Sequence, residues 1–235
     1  IPEFRLYNSY VTEDFFIKDL LTHRSGMGEG AGDLMGWPDS AMFTADEIIH
    51  NLRYLKQASS FRTRYDYDNL LYIVAGEVVK RVSGQSWEEF AESRIMKPLG
   101  MNESAASFRR IKDLTNIIDA HVMVDGRLKV VPKQEAKRHN SVGGIYSNVS
   151  DMSKWVILQL NSGRHGSSAG EKIFSVEAHR EMWTPQTVKT VSTSGSYRSN
   201  FAFYGLGWNL TDVNGYLQVY HTGSHAGIET RVTML

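Results

Sequence analysis

The stretch Tyr67-Asp-Asn-Leu-Leu-Tyr-Ile-Val-Ala-Gly-Glu-Val-Val-Lys-Arg-Val-Ser-Gly84 joins a polar triplet to an apolar helical repeat. Leucine, isoleucine and valine side chains recur at helical spacing from Leu70 to Val79, which predicts an amphipathic helix that ends at Gly84. The triplet Tyr67-Asp68-Asn69 then lies at the start of this helix, where the helix dipole favours phenolate over phenol. A phenol that carries a proton and an amide that holds a carbonyl are groups that acyl-transfer chemistry uses.

A second short string, His221-Thr222-Gly223-Ser224, follows an alternating segment near the other end of the chain. Its imidazole changes charge near neutral pH, and its glycine allows backbone N–H groups to approach a developing oxyanion. The alternation across residues 205–210, 216–221 and 228–235 predicts consecutive antiparallel strands. We expect the Tyr67 hydroxyl and the His221 imidazole to face one cleft, within direct or one-water hydrogen-bonding distance.

Five further runs lie before or between the two strings. They are Asp19-Leu-Leu-Thr-His-Arg-Ser-Gly-Met27, Ile95-Met-Lys-Pro-Leu-Gly-Met101, Val142-Gly-Gly-Ile-Tyr-Ser147, Met182-Trp-Thr-Pro-Gln-Thr187 and Tyr204-Gly-Leu-Gly-Trp208. This succession resembles the serine hydrolases of the class C β-lactamase and penicillin-binding-protein-like family, over nearly all of the chain. The resemblance implies an α+β fold of the β-lactamase/transpeptidase type, with a helical region followed by part of an antiparallel sheet.

The site of that family is built from three motifs: S-x-x-K, Y-x-N, and K-T-G or H-x-G. The second motif matches at Tyr67 and Asn69, and the third matches at His221 and Gly223. The resemblance implies that Tyr67 is the general base, that Asn69 holds substrate, and that the strand at 221–224 lines the oxyanion site. Thr222, Gly223 and Ser224 would act there mainly through their backbone. Histidine in place of lysine resembles the esterase and D-peptidase branches more than true β-lactamases.

The first motif is missing, because no Ser or Thr in the chain is followed three residues later by Lys. The family places S-x-x-K upstream of the run at 19–27. We therefore expect residues 1–235 to be an incomplete serine hydrolase domain, with the S-x-x-K part before it and further C-terminal strands and a helix after it. The nucleophile and its lysine would lie outside this chain, so the segment alone is expected to be inactive.

Each residue also has a simpler interpretation. Tyr67 is one of 11 tyrosines, any of which can pack in a core. Asn69 is a good helix cap, although Asp68 competes for that role. His23 is interpreted as a structural residue that ties down the loop after it. The alternative function is a non-catalytic ligand-binding module or pseudoenzyme of the same fold.

A metal-dependent hydrolase is a third, weaker hypothesis. His221 and His225 are four residues apart, which on a helix is a zinc-ligand spacing. Gly223 and Gly227 disfavour a helix there, and no glutamate follows the first histidine. We therefore predict no metal site and, from the acyl-enzyme chemistry that the resemblance implies, no cofactor.

Composition limits the class of partner. The chain has 235 residues, of which 41% are hydrophobic, and 26 basic side chains balance 26 acidic ones. This balance argues against nucleic acid and favours a small neutral or zwitterionic substrate, and the family resemblance implies a small-molecule or short peptide substrate. No run approaches the roughly 20 apolar residues of a membrane-spanning helix. The chain has no cysteine, so cysteine usage gives no indication of the cellular compartment. The family resemblance implies an exported or periplasmic protein.

Local signals predict several other elements. Capping boxes at 44–47 and 86–89 and a capping Asn148 each predict the start of a helix. The helix that begins near Ser86 is expected to end at Pro98 and Gly100. Residues 122–131 read as a hairpin around Asp125-Gly126, and the Ser- and Gly-rich segment 192–199 reads as a loop.

Overall fold

The structure, a computed structural model, describes residues 1–37, 43–133, 139–166, 170–191, 198–225 and 227–235. Within these residues most of the helices lie in the first two thirds of the chain, and one antiparallel sheet occupies the last part. This order confirms the predicted arrangement of a helical region followed by a sheet. No helix in the described part of the chain is long and apolar enough to cross a membrane.

The described residues contain eight α-helical segments, most of them short. They are α1 (Ser9–Glu13), α2 (Ala45–Asn51), α3 (Leu70–Ser83), α4 (Trp87–Ala91), α5 (Lys97–Leu99), α6 (Asn140–Gly143), α7 (Val149–Leu160) and α8 (Val176–Met182). A π-helical turn, Glu92–Met96, joins α4 to α5. Pro98 lies inside α5 instead of ending it, and Gly100 ends it with a left-handed φ of 66°.

Side-chain caps begin three of these helices where the sequence predicts them. At the start of α2 the Glu47 backbone N–H donates to Thr44 Oγ1 (3.2 Å), and Glu47 Oε2 accepts from the Thr44 N–H (2.7 Å). Ser86 forms the same reciprocal pair with the acid three residues later, and Asn148 caps α7. The predictions are confirmed because each cap satisfies a backbone donor that a helix N-terminus leaves unpaired.

The apolar stripe of α3 forms the core of the helical region together with α2. These helices and the turn after α2 bury six large side chains, each at most 1% exposed: Ile48, Ile49, Leu52, Leu70, Leu71 and Val74. Burial of one such side chain stabilises a fold by about 1.5–3 kcal/mol. The buried face of α3 therefore stabilises the helix against α2. The helix ends at Gly84, as predicted, where φ is 72°.

The main sheet has five antiparallel strands whose spatial order is their chain order. They are β5 (Thr187–Val188), β6 (Ala202–Tyr204), β7 (Asn209–Val213), β8 (Tyr216–His225) and β9 (Ile228–Met234). One face packs against α7 and α8, because Leu210, Val219 and Met234 meet Trp155 and Met182 there. This contact joins the sheet to the helical region.

Two small strand pairs lie outside the main sheet. The predicted hairpin is formed by β1 (Ala120–Val124) and β2 (Arg127–Val131). Its turn residues Asp125 and Gly126 both have positive φ, at 51° and 74°, as a two-residue hairpin turn requires. The second pair is β3 (Arg164–His165) with β4 (Glu171–Lys172).

The strand predicted to begin at residue 205 begins four residues later, at Asn209. Residues 205–208 form a bend instead, closed by a hydrogen bond from the Gly205 N–H to the Trp208 carbonyl (2.8 Å). Gly207 has a φ of 79° there, which an extended strand does not allow. The loop predicted at 192–199 lies largely outside the described residues, since only Arg198 and Ser199 of it are described.

The run at 19–27 lies at the junction of the helical region and the sheet. Asp19 is fully buried and pairs with Arg24 (3.0 Å) and Arg62 (2.7 Å). The Thr22 carbonyl accepts from the Thr187 hydroxyl of β5 (2.7 Å). The Leu21 carbonyl of the run accepts from the Tyr72 hydroxyl of α3 (2.9 Å), so the run connects α3 and the sheet through polar contacts.

We expect Gly26→Ala to destabilise the protein more than Gly84→Ala. Both glycines have left-handed φ, at 85° and 72°, so alanine is strained at either position. A Cβ at Gly26 would lie 2.5 Å from the Ser59 carbonyl oxygen, whereas nothing lies within 4 Å at Gly84. In urea unfolding, the free energy of unfolding should be lower for Gly26→Ala than for Gly84→Ala by about 1–3 kcal/mol. Equal losses in the two variants would contradict the tight backbone contact.

Candidate active site

The triplet before α3 is held from one side by the run at 19–27. The Asp68 backbone N–H donates to His23 Nδ1 (3.0 Å), and the Asp66 N–H donates to the His23 carbonyl (2.9 Å). The Ser25 hydroxyl donates to Asp68 Oδ2 (3.1 Å). Asp68 is fully buried, and this burial raises its pKa to about 7, against the effect of the Ser25 hydrogen bond. These contacts fix the backbone of the triplet before the helix begins.

A loop at 28–36 holds the triplet from the other side. The Gly30 N–H donates to the Tyr67 carbonyl (2.8 Å), and Asn69 Nδ2 donates to Asp33 Oδ2 (3.0 Å). Asn69 occupies the N-cap position of α3, but its side chain makes no capping hydrogen bond. The simpler interpretation of Asn69 as a side-chain cap is therefore wrong, because its amide oxygen accepts no backbone N–H at the start of α3.

His23 lies at the centre of a cluster of aromatic rings. Its ring centroid is 4.1 Å from that of Tyr67, 4.7 Å from Tyr204, 5.3 Å from Tyr72 and 5.6 Å from Tyr65. Burial is the main cause that lowers the pKa of His23 to about 3. A neutral ring that accepts at Nδ1 carries its proton on Nε2, and this buried atom has no partner among the described residues.

His23 was interpreted from the sequence as a structural residue that ties down the following loop. The structure adds a second role, because His23 also holds the Tyr67 triplet and contacts its ring. The sequence carried one usable signal, a histidine within a run of family-like residues. It carried no signal for the contact with Asp68, which joins two segments far apart in the chain.

His221 reaches the same cluster from the sheet. Its Nε2 lies 3.0 Å from the hydroxyl of Tyr204, a fully buried residue that also contacts His23. Tyr67 and His221 are thus connected through His23 and Tyr204. In the part of the chain that the structure describes, the two make no direct hydrogen bond, and the expected water-mediated contact stays a prediction.

The string at 221–224 lies on β8, beyond the point where β7 ends. The last residue pair between these strands is Asn209 with Tyr220, whereas β8 continues beside β9 to His225. Thr222, Gly223 and Ser224 are exposed, and the described β7 does not extend along them. Backbone groups on that side are open to a ligand. A Cβ at Gly223 would lie 2.5 Å from Thr230 Oγ1, so glycine also fits the β9 side.

The environment of Tyr67 shifts its pKa in the direction opposite to the one expected from the sequence. Burial, followed by the Asp33 carboxylate, raises the pKa of Tyr67 above its ordinary value. These two effects oppose the helix dipole that was expected to favour phenolate. Burial also lowers the pKa of His221, and Lys189 adds to that effect. His221 therefore stays neutral to lower pH than a free histidine.

Lys189 is a site residue that the sequence did not predict. Its Nζ lies 4.2 Å from the ring centroid of Tyr65 and 5.7 Å from that of Tyr204. It donates to Asn209 Oδ1 (2.5 Å), and burial lowers its pKa. Its position two residues after a T-P-Q-T run gave no indication of this contact.

The described residues contain no group of three or more His, Cys, Asp or Glu side chains that could hold a metal ion. His221 and His225 lie on the strand β8 and not on a helix. The helical spacing that suggested zinc ligands therefore does not apply to them.

We expect His23 to remain neutral, with its proton on Nε2, from about pH 8 to about pH 5, where a free histidine of pKa about 6.5 becomes charged. Its folded-state pKa of about 3 lies below the unfolded value, so its contribution to stability is lost as the pH falls toward 3. Imidazole ¹⁵N NMR across this range is the measurement. A doubly protonated His23 signal near pH 5, where a free histidine is charged, would contradict the buried, neutral assignment.

Comparisons with known proteins agree with this fold. The family model described as Beta-lactamase matches residues 8–234. An unguisins hydrolase from Aspergillus campestris is 25% identical over 240 residues, which cover 99% of this chain and 42% of that protein. The chain therefore spans less than half the length of that relative.

Two solved structures are similar. The octameric penicillin-binding protein homologue from Pyrococcus abyssi aligns with a TM-score of 0.74 and 24% identity, over 92% of this chain and 48% of that chain. The D-stereospecific amidohydrolase from Streptomyces sp. aligns with a TM-score of 0.69 and 19% identity, over 92% of this chain and 63% of that chain. At these identities the alignments show the fold, which is β-lactamase/transpeptidase-like. With the family match over residues 8–234, they lead to one conclusion: the chain belongs to the β-lactamase family.

Proposed function

We propose that this chain is the part of a serine hydrolase that carries the general base and the oxyanion strand. The observation that carries the proposal is the single cluster that joins Tyr67 to His221 through His23 and Tyr204. The open backbone of β8 lies next to this cluster, since His221 belongs to both. Base and oxyanion donors are needed within one substrate length of each other.

The chemistry follows from the family motifs. The hydroxyl of a serine outside residues 1–235 gives its proton to Tyr67 while its oxygen attacks the substrate carbonyl. The carbonyl electron pair moves onto oxygen, where backbone N–H groups of the strand at 222–224 stabilise the charge. Tyr67 then returns the proton to the leaving group, which departs and leaves an acyl-enzyme. Water hydrolyses this ester by the same proton transfers.

The raised pKa of Tyr67 defines what the site must supply. A phenolate in this buried position needs positive charge close by, since burial and Asp33 both favour the protonated form. The lysine of S-x-x-K would provide that charge in the intact protein. Asn69 would hold substrate, and His221 would support the base as a neutral hydrogen-bonding group.

The proposed substrate is an ester, amide or lactam of modest size, including short peptides. A similar protein described as a D-stereospecific amidohydrolase supports the amide choice, and a relative described as an unguisins hydrolase supports hydrolysis in general. The aromatic lining and the zero net charge of the chain fit a substrate without strong charge. We also propose, from the family resemblance, that the protein acts outside the cytoplasm.

A second candidate is a non-catalytic ligand-binding module of the same fold. The observation that favours it is the lack of a Ser or Thr three residues before a Lys within residues 1–235. A fluorophosphonate probe separates the two functions, because it labels an activated serine and leaves a binding module unlabelled. Labelling of the full-length protein on a serine outside these residues supports the hydrolase, whereas stoichiometric labelling within residues 1–235 would mean that the nucleophile is misassigned.

In the full-length protein, Tyr67→Phe removes only the hydroxyl and is expected to lower kcat by about 10²- to 10⁴-fold, as loss of a general base does. Tyr220→Phe is the matched control, since it removes a hydroxyl one residue from His221 and should leave turnover near wild type. Steady-state hydrolysis of an activated ester, per probe-titrated site, is the measurement. Wild-type turnover in a folded Tyr67→Phe variant would mean that another group is the general base.

A further inference from the structure

The loop at 28–36 is packed closely against the start of α3. Its Gly30 N–H donates to the Tyr67 carbonyl (2.8 Å), and its Gly36 N–H closes a turn on the Asp33 carbonyl (2.9 Å). Gly32 has a φ of 77°, and a Cβ there would lie 2.6 Å from Leu70 Cδ1. The loop therefore has little freedom to move away from the triplet, and Asp33 is held beside it.

Asp33 makes a directional contact with Asn69. Asn69 Nδ2 donates to Asp33 Oδ2 (3.0 Å), and both side chains are partly buried. An ionised carboxylate only accepts hydrogen bonds, so it can bind the amide nitrogen and not the amide oxygen. The carboxamide of Asn69 is thereby held in one of its two orientations. Its Oδ1 and one N–H remain for the reaction site.

We propose that Asp33 is a positioning residue, which orients the Asn69 carboxamide for substrate in the hydrolase site. This inference rests on the proposed function, because only a reacting substrate makes the orientation matter for turnover. An Asn69 side chain without this contact can rotate by half a turn and exchange its donor and acceptor atoms. Half of its orientations would then present the wrong group.

Two further observations agree with a role of Asp33 beyond packing. Its Oδ1 is buried and has no partner among the described residues, so this oxygen takes no part in holding the loop against the triplet. A buried carboxylate without full pairing is destabilising, and burial raises its pKa accordingly. The loop that carries Asp33 also binds the proposed base residue, because the Gly30 N–H donates to the Tyr67 carbonyl (2.8 Å), and after burial the Asp33 carboxylate is the second cause that raises the pKa of Tyr67.

The test uses the full-length protein with four variants: Asp33→Ala, Asp33→Asn, Asn69→Ala and the Asp33→Ala/Asn69→Ala double variant. Glu29→Gln is the matched control, since it removes an acidic charge from an exposed position in the same loop. Each protein is titrated with a fluorophosphonate, and kcat and KM for a short peptide amide are expressed per titrated site. Thermal unfolding is measured in parallel to separate stability from turnover.

We expect Asp33→Ala to lower kcat/KM per titrated site by up to about a hundredfold, as a displaced positioning group does. Asp33→Asn should lower kcat/KM less, because its amide oxygen still accepts from Asn69. Some loss is expected, since the two amides can also pair in the reversed orientation. The double variant should be no worse than Asn69→Ala, since Asp33 acts through that residue. Glu29→Gln should match the wild type.

Additive losses in the double variant would overturn the inference, since Asp33 would then act independently of Asn69. So would a wild-type kcat/KM per titrated site in Asp33→Ala, even if that variant melts at a lower temperature, because the role would be structural only. A wild-type protein that the probe never labels contradicts the proposed hydrolase and, with it, this role of Asp33. The labelling result therefore distinguishes failure of the function from failure of the inference.

Discussion

A hydrogen bond from the Asp68 backbone N–H to His23 Nδ1 determines where the candidate site forms. It brings the run at 19–27 against the segment that starts α3 and places the Tyr67 ring 4.1 Å from the imidazole. The bond requires a neutral histidine, because a protonated ring has no acceptor. Burial supplies that condition by lowering the pKa of His23 to about 3. Desolvation and geometry therefore support each other at this contact.

The same run connects the site to the sheet. The Leu21 carbonyl accepts from the Tyr72 hydroxyl of α3 (2.9 Å) and from the Gly207 N–H in the bend before β7 (3.2 Å). This bend follows Tyr204, whose hydroxyl meets His221. The position of His221 relative to Tyr67 thus depends on a short series of polar contacts between the helical region and the sheet. Each contact is partly or fully buried, so each is expensive to lose without a replacement.

Electrostatics in the cluster favour uncharged side chains. Burial lowers the pKa values of His23, His221 and Lys189 and raises that of Tyr67. Such a site is prepared for proton transfer only when a further charge completes it, because desolvation alone favours the protonated phenol. In the proposed function, the lysine of the S-x-x-K motif supplies that charge.

The sequence by itself determined the helix starts at Thr44, Ser86 and Asn148, the buried stripe of α3, the order of the last strands and the two motif strings. These features follow from signals between residues close in the chain, namely caps, periodicity and turn chemistry. Only the tertiary structure decided that His23 lies at the centre of the site, that Asp33 binds Asn69, and that Lys189 joins the aromatic rings. Those contacts connect distant segments through loops whose backbone angles no local pattern specifies.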